Sequence, residues 1–218
     1  MRLFIQWAVI SVVGLWLVAA LTLVALRWID PPTTAVQIER HVSALIAGDP
    51  YQKRYDFVPL SQISPEFPHA VIAAEDDRFY IHHGFDWRAI HLAAEHDADG
   101  GKVRGGSTLT QQLVKNLFFS TRRSYVRKAF ETTLVPVAEL VLGKKRILEL
   151  YMNVVEWGPG VYGAQAAAHY HFKTDARHLS RSQSVELASI LPSPLKRKPG
   201  RMARLDAIIQ EHMRQMGW

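Results

Sequence analysis

Apolar and polar residues follow two regimes along the chain. Residues 3–26 carry no charge and are mostly Leu, Val, Ala, Ile and Trp, with Arg2 and Arg27 on either side. Beyond Pro31-Pro32 the apolar positions recur with a helical period almost to the C-terminus. The first stretch predicts one helix about 36 Å long, enough to cross a hydrocarbon core of roughly 30 Å. Its competitor is a cleaved signal peptide, whose apolar part usually has about 7–15 residues and ends in a small-x-small site. No A-x-A occurs in this region, so a retained anchor is the better reading. Trp7 and Trp28 suit the two interfaces, with Trp16 in mid-span. Arg2 on one side, and Arg27 offset by Asp30 on the other, favour a cytoplasmic N-terminus.

The second regime predicts helices. Pro68 opens the run HAVIAAEDDRFYIH, in which Val71, Ile72, Phe79 and Tyr80 share a helical side, so that Glu75, Asp76 and Asp77 fall in mid-helix. Ser107 is the expected N-cap of STLTQQLVKNLF. There Leu109, Leu113, Val114, Leu117 and Phe118 form a stripe opposite Gln111, Gln112, Lys115 and Asn116. Residues 124–142 predict a long helix with a kink at Pro136, closed by Gly143. Residues 145–155, 162–172, 182–191 and 199–216 continue the pattern, and no alternating strand exceeds a few residues. The fold class expected is mainly α. No long linker or internal repeat divides the chain after the anchor. The organisation is therefore a cytoplasmic stub and anchor over 1–30, a connector and membrane-proximal segment over 31–57, and one working domain over 58–218.

Composition changes this picture in two places. The 218 residues contain no cysteine, which removes disulfide scaffolds, Cys-ligated zinc and Cys nucleophiles. The net charge is +6, which invites an anionic partner. Between residues 102 and 146 lie ten basic and two acidic residues, a local +8 that leaves −2 for the rest. A shorter basic cluster, Lys196, Arg197, Lys198, Arg201 and Arg204, reads as facing anionic lipid or solvent.

Three constellations carry candidate chemistry. Glu75-Asp76-Asp77, just ahead of His82-His83-Gly84, is either a solvated acidic face or a carboxylate held beside an apolar wall as a proton acceptor. Arg123, Arg127 and Glu131 stand at i, i+4 and i+8, either a surface ion-pair ladder or one wall of an anion site. If their helix packs beside the one carrying Gln111, Gln112 and Lys115, cations and amides converge on a pocket suited to a diphosphate. Gly105-Gly106 before the helix start would let backbone approach that anion. The histidines give no HExxH, so a metal reading of His91, His96, His169 and His171 is the weaker one. Ser193-Pro-Leu-Lys196 spells S-x-x-K, but neither S-D-N nor K-T-G follows.

EDDRFYIHHG (75–84), GGSTLTQQLVKN (105–116), RKAFE (127–131), KRILELYMN (145–153) and GVYGAQAAA (160–168) together resemble the ordered motifs of the peptidoglycan glycosyltransferases, with ILPSPLKRKP (190–199) as a looser last one. The resemblance covers residues 58–199 and is closest to the monofunctional biosynthetic members, since the chain ends soon after the last motif. It implies a lysozyme-like helical lobe with a smaller membrane-facing lobe. The implied activity is polymerisation of lipid II into β-1,4-linked glycan strands, with inversion, from an undecaprenyl-diphosphate-linked donor to an acceptor 4-hydroxyl. By the resemblance Glu75 is the general base, and Glu131 the second carboxylate near the departing diphosphate or its metal. Lys115 and Arg123 are the diphosphate cations, Ser107, Gln111 and Gln112 are donor-site polar residues, Arg127 lies in the same site, and Asp76 supports Glu75.

A divalent cation such as Mg²⁺ is implied as cofactor by the resemblance alone, and no metal motif shows it. The partners implied are lipid II, the growing strand and the membrane, with room for other cell-wall synthesis proteins and no nucleic acid. The localisation implied is a bacterial inner membrane crossed once, with the domain in the periplasm. A membrane-anchored lytic muramidase and a non-catalytic cell-wall scaffold are the alternatives. Leu109 in place of a commoner Ile, and Arg197 where an aromatic is frequent, are the departures.

Overall fold

The computed structural model describes residues 2–98, 106–122 and 124–218 of the protein. Helix α1 (Arg2–Ala25) is the one described helix long and apolar enough to cross a membrane, and Leu3, Phe4, Leu15 and Leu21 stand exposed on it. Helix α2 (Ala35–Ala47) starts where Thr34 Oγ1 accepts the Gln37 N–H and ends at Gly48 in the left-handed region, φ 70°. The segment expected as a connector thus holds a capped helix. It also holds strand β1 (Arg54–Tyr55), which enters a small sheet with β2 (Glu156–Gly158) and β3 (Val161–Tyr162). The strand order is β1-β3-β2, with β1 parallel and β2 antiparallel to β3.

Helix α3 (Glu66–Glu75) stops earlier than its periodicity predicts. At Asp76 the chain turns, and the Phe79 N–H donates to the Asp76 carbonyl. Phe79 is consequently buried while Tyr80 is exposed, so the two do not share a side with Val71 and Ile72. The physical reason is Asp76 itself, whose carboxylate binds donors outside the helix and so competes with helical continuation. Helix α4 (Trp87–Ala98) follows, and then α5 (Leu109–Phe118). The N-cap of α5 is Thr108, not Ser107: Thr108 and Gln111 form a reciprocal capping box. Its stripe of Leu109, Leu113, Val114 and Leu117 is buried as expected.

Helix α6 (Tyr125–Val154) is capped by Ser124 and packs along α5. Its backbone leaves helical values at Gly143 (φ 68°, ψ 164°), not at Pro136, so the expected stop at 143 is a break between two helical stretches. Three residues tie α1 and the segment just after it to α6. The Trp16 indole N–H donates to Thr133 Oγ1 at 3.0 Å, Arg27 donates to the Val141 carbonyl, and Arg146 reaches the Leu26 and Ile29 carbonyls and Asp30. Helices α7 (Ala164–Phe172), α8 (Arg181–Ile190) and α9 (Ala203–Gln215) complete the fold, with α3 packed against α8 and α9.

One core runs through these elements, centred on Phe67, Phe79, Leu113, Ile147, Tyr151 and Trp157. The fully buried Asn153 side chain bonds the Val58 N–H, the Val58 carbonyl and the Glu149 carbonyl, fixing the entry to the domain on α6. Gly163 lies so close to that residue that a Cβ would sit 2.5 Å from the Asn153 carbonyl oxygen, at a φ of +83°.

Candidate active site

Glu75 is the last residue of α3 and part-buried. Its Oε2 accepts the Gln112 Nε2–H at 2.8 Å, and Gln112 Oε1 in turn accepts the Tyr151 hydroxyl at 2.9 Å. Among the described residues Glu75 Oε1 has no hydrogen bond, so one carboxylate oxygen is held and the other is available. Burial raises the Glu75 pKa above the ordinary carboxylate range, partly offset by the Gln112 bond and by the charges of Lys115 and Arg197. A carboxylate so placed is a stronger proton acceptor than a solvated one.

Behind Glu75 lies a pair that the sequence reading did not identify. The buried Asp76 carboxylate receives the His82 Nε2 at 2.8 and 3.0 Å and the Leu109 N–H at 2.9 Å. The Gly84 N–H donates to His82 Nδ1, which leaves Nε2 as the ring's N–H toward Asp76. The cluster therefore ties the C-terminal end of α3 to the first turn of α5. Thr108 adds to it by donating its hydroxyl to the Gly84 carbonyl at 2.7 Å.

The packing of α5 on α6 brings Lys115 under the influence of both Glu75 and Glu131. Burial lowers the Lys115 pKa, with the Glu131 charge acting in the opposite direction. Glu131 is buried, and its two oxygens accept from Arg127 Nη1 at 3.0 Å and from Lys128 Nζ at 2.5 Å. The Arg127 Nε is buried with no hydrogen-bond partner. Lys128 belongs to this group and was not among the expected site residues; its i, i+3 spacing to Glu131 was the available signal.

Other expected residues fall differently. Arg123 and Gly105 lie outside the described residues. Gln111 is buried, and its Oε1 accepts the Thr108 N–H. Ser107 offers its carbonyl to Gln112 at a long 3.5 Å and caps nothing. Gln112 gives its Nε2–H to Glu75. Arg197, read as part of a cluster facing lipid or solvent, donates to the Ser189 carbonyl at 2.9 Å and acts electrostatically on Glu75. A cavity of about 510 Å³ bounded by Arg40, Tyr51, Arg54, Glu156 and Leu195 shares no lining residue with this group.

No three His, Asp or Glu side chains cluster suitably among the described residues, and both Glu131 oxygens are taken by cations. These residues as arranged do not fit a resident metal.

A carboxylate with a free oxygen, coupled through charge to a buried lysine, suits a transferase whose leaving group is an anion. A glycosidase would need a paired acid and nucleophile or a second base. Comparison with known proteins agrees: residues 40–216 match the transglycosylase family, and the chain belongs to it. It is 46% identical over 209 residues to a biosynthetic peptidoglycan transglycosylase of Pseudomonas putida, covering 93% of this chain and 89% of that protein. Proteins of the same description in Pseudomonas aeruginosa and Pseudomonas syringae pv. tomato are 47% and 44% identical, with 93% of this chain covered in each case and 90% and 89% of theirs.

Proposed function

We propose that the protein polymerises lipid II into β-1,4-linked glycan strands of peptidoglycan. The observation that carries this reading is the Glu75 carboxylate, held by Gln112 through one oxygen and free at the other among the described residues, with the buried Lys115 acting on it through its charge. The acceptor 4-hydroxyl oxygen attacks the donor's anomeric carbon with inversion as Glu75 takes its proton. The bond from that carbon to the phosphate oxygen breaks, and its electron pair leaves on the undecaprenyl diphosphate. Lys115, Arg127 and Lys128, with Arg123 by resemblance, receive the developing charge, and Glu131 holds Arg127 and Lys128 in place. Asp76 supports Glu75 through His82 and the Leu109 amide.

The apolar α1 supports a membrane anchor, which suits a substrate whose isoprenoid tail stays in the bilayer. The family resemblance supports a domain on the periplasmic side of a bacterial inner membrane, and Arg2 on one side of the anchor with Arg27 offset by Asp30 on the other is compatible with that orientation. The test is polymerisation of lipid II by the purified full chain, with release of sugars from mature cell wall measured in parallel. Long strands from wild type, and none from Glu75→Gln that still folds and binds lipid II, are expected. Sugar release without polymer would identify a lytic enzyme, and near wild-type polymerisation by Glu75→Gln would remove Glu75 as the base.

A further inference from the structure

The hydrogen bonds behind Glu75 continue one residue further than the reacting groups require. An amide has one donor end and one acceptor end, so whatever occupies one end decides which end the other neighbour meets. Gln112 gives Nε2 to Glu75 and receives the Tyr151 hydroxyl at Oε1. Tyr151 is fully buried in the second helical stretch of α6 and cannot turn to another partner without opening the core. Burial, with the charges of Glu75 and Asp76, pushes its phenol well above the usual range, so it is a donor at neutral pH.

We propose that Tyr151 is a positioning residue for the general base, locking the Gln112 amide with its NH₂ toward Glu75 and thereby keeping Glu75 ionised and aimed. The inference rests on the reading of Glu75 as the base. Without the Tyr151 hydroxyl the amide loses the donor that fixes Oε1, and only Glu75 itself and the distant Ser107 carbonyl still favour its orientation. With Oε1 turned inward, two acceptors confront each other unless Glu75 holds a proton, so the protonated, inactive form gains.

The other charged and titratable groups around Glu75 keep their places in such a variant. They are Lys115 on α5, Arg197 after α8, and Asp76 with its partner His82. On α9, His212 Nδ1 meets the Ala73 carbonyl, and the far end of α3 carries the Glu66–Arg181 pair with α8. The change therefore has a single direction: the acidic limb of the kcat profile moves to higher pH.

The experiment measures kcat and donor KM against pH for wild type, Tyr151→Phe, Gln112→Met and the double variant, with Glu75→Gln as reference. Tyr151→Phe should raise the midpoint of the acidic limb by about 0.5–1 pH unit, the equivalent of one ordinary hydrogen bond. Its kcat on the alkaline plateau and its donor KM should stay within about twofold of wild type. Gln112→Met should raise the limb at least as far, and the double variant should match Gln112→Met alone, because the hydroxyl acts only through the amide. A uniform loss of rate at all pH values, or shifts that add in the double variant, overturns the proposal. If Tyr151→Phe does not fold, an unshifted limb in Gln112→Met overturns it equally. Should Glu75→Gln stay active, the base reading itself falls; an inactive Glu75→Gln with an unmoved Tyr151→Phe limb removes Tyr151 alone.

Discussion

Asp76 is where the fold and the site depend on the same atoms, and Asp76→Ala tests that dependence. The carboxylate accepts from two donors, His82 Nε2–H and the Leu109 N–H, and all three groups are buried. A hydrogen bond to a charged group is worth about 1.5–3 kcal/mol, and neither donor finds water once the acceptor is gone. The expected loss is therefore about 3–6 kcal/mol, a large share of the roughly 5–15 kcal/mol that holds a domain together. At about 2–4 °C per kcal/mol for a domain of this size, melting should fall by roughly 6–24 °C. Asp76→Asn keeps one acceptor oxygen and turns an NH₂ toward the other donor, so it should lie between alanine and wild type. The assay is thermal unfolding of the detergent-solubilised chain followed by tryptophan fluorescence, with polymerisation measured well below the melting point. There kcat should fall in both variants because Asp76 sets the direction in which its neighbour Glu75 leaves α3. Melting of Asp76→Ala within 2 °C of wild type would refute the account of this cluster.

Lys115→Ala should raise donor KM at least about tenfold, whereas the exposed Lys196→Ala should stay within about twofold, since a desolvated cation contributes far more than a solvated one. Because burial lowers the Lys115 pKa, its charge is lost at a lower pH than that of an ordinary lysine; donor KM should climb on the alkaline side, and Lys115→Arg should move that climb to higher pH. Glu75→Gln should make the fold more stable at pH 8 than wild type, measured as the difference in melting temperature. The sign follows from burial raising the folded-state pKa: stability is full below the ordinary carboxylate range and lost as pH rises through the elevated value, so the gain must shrink toward pH 4.

Local features were legible in the sequence because they rest on neighbouring residues. The uncharged run gives α1 to within a residue at each end, and Gly143 breaks α6 where a backbone at φ 68° suits glycine. The α5 cap was legible too, though read one residue early: Ser107 has Thr110 three positions on, whereas Thr108 has Gln111, and only Gln at that position closes a capping box. That single choice decides that Gln111 is spent on the backbone while Gln112, one position along, faces Glu75. The end of α3 was hidden because apolar residues on both sides of the turn keep a helical spacing across it. What stops the helix is a carboxylate whose partner amide is 33 residues away. The same holds for Tyr151 and Arg197, whose relation to Glu75 arises only when α5, α6 and the segment after α8 are packed around the end of α3.

The two carboxylates illustrate why that packing matters more than their identity. Both are Glu, and each sits on a helix with basic residues close by in sequence or space. Glu131 has each oxygen bound to a cation of its own helix, so its lone pairs are engaged and its charge is offset where it stands. It can organise Arg127 and Lys128, but it has no oxygen ready for a proton in flight. Glu75 receives one neutral amide and keeps an oxygen free, in surroundings that make its charge costly. The cations nearest to it act through the field and not through contact, which leaves its basicity raised but not extinguished. Exchanging the partners would exchange the roles: a Glu75 clamped by two cations would be a poor base, and a Glu131 without them would leave two positive charges unaligned. On the proposed reading, the division of labour between base and charge holder is thus set by which donors α5 and α6 present, and the motif letters alone do not contain it.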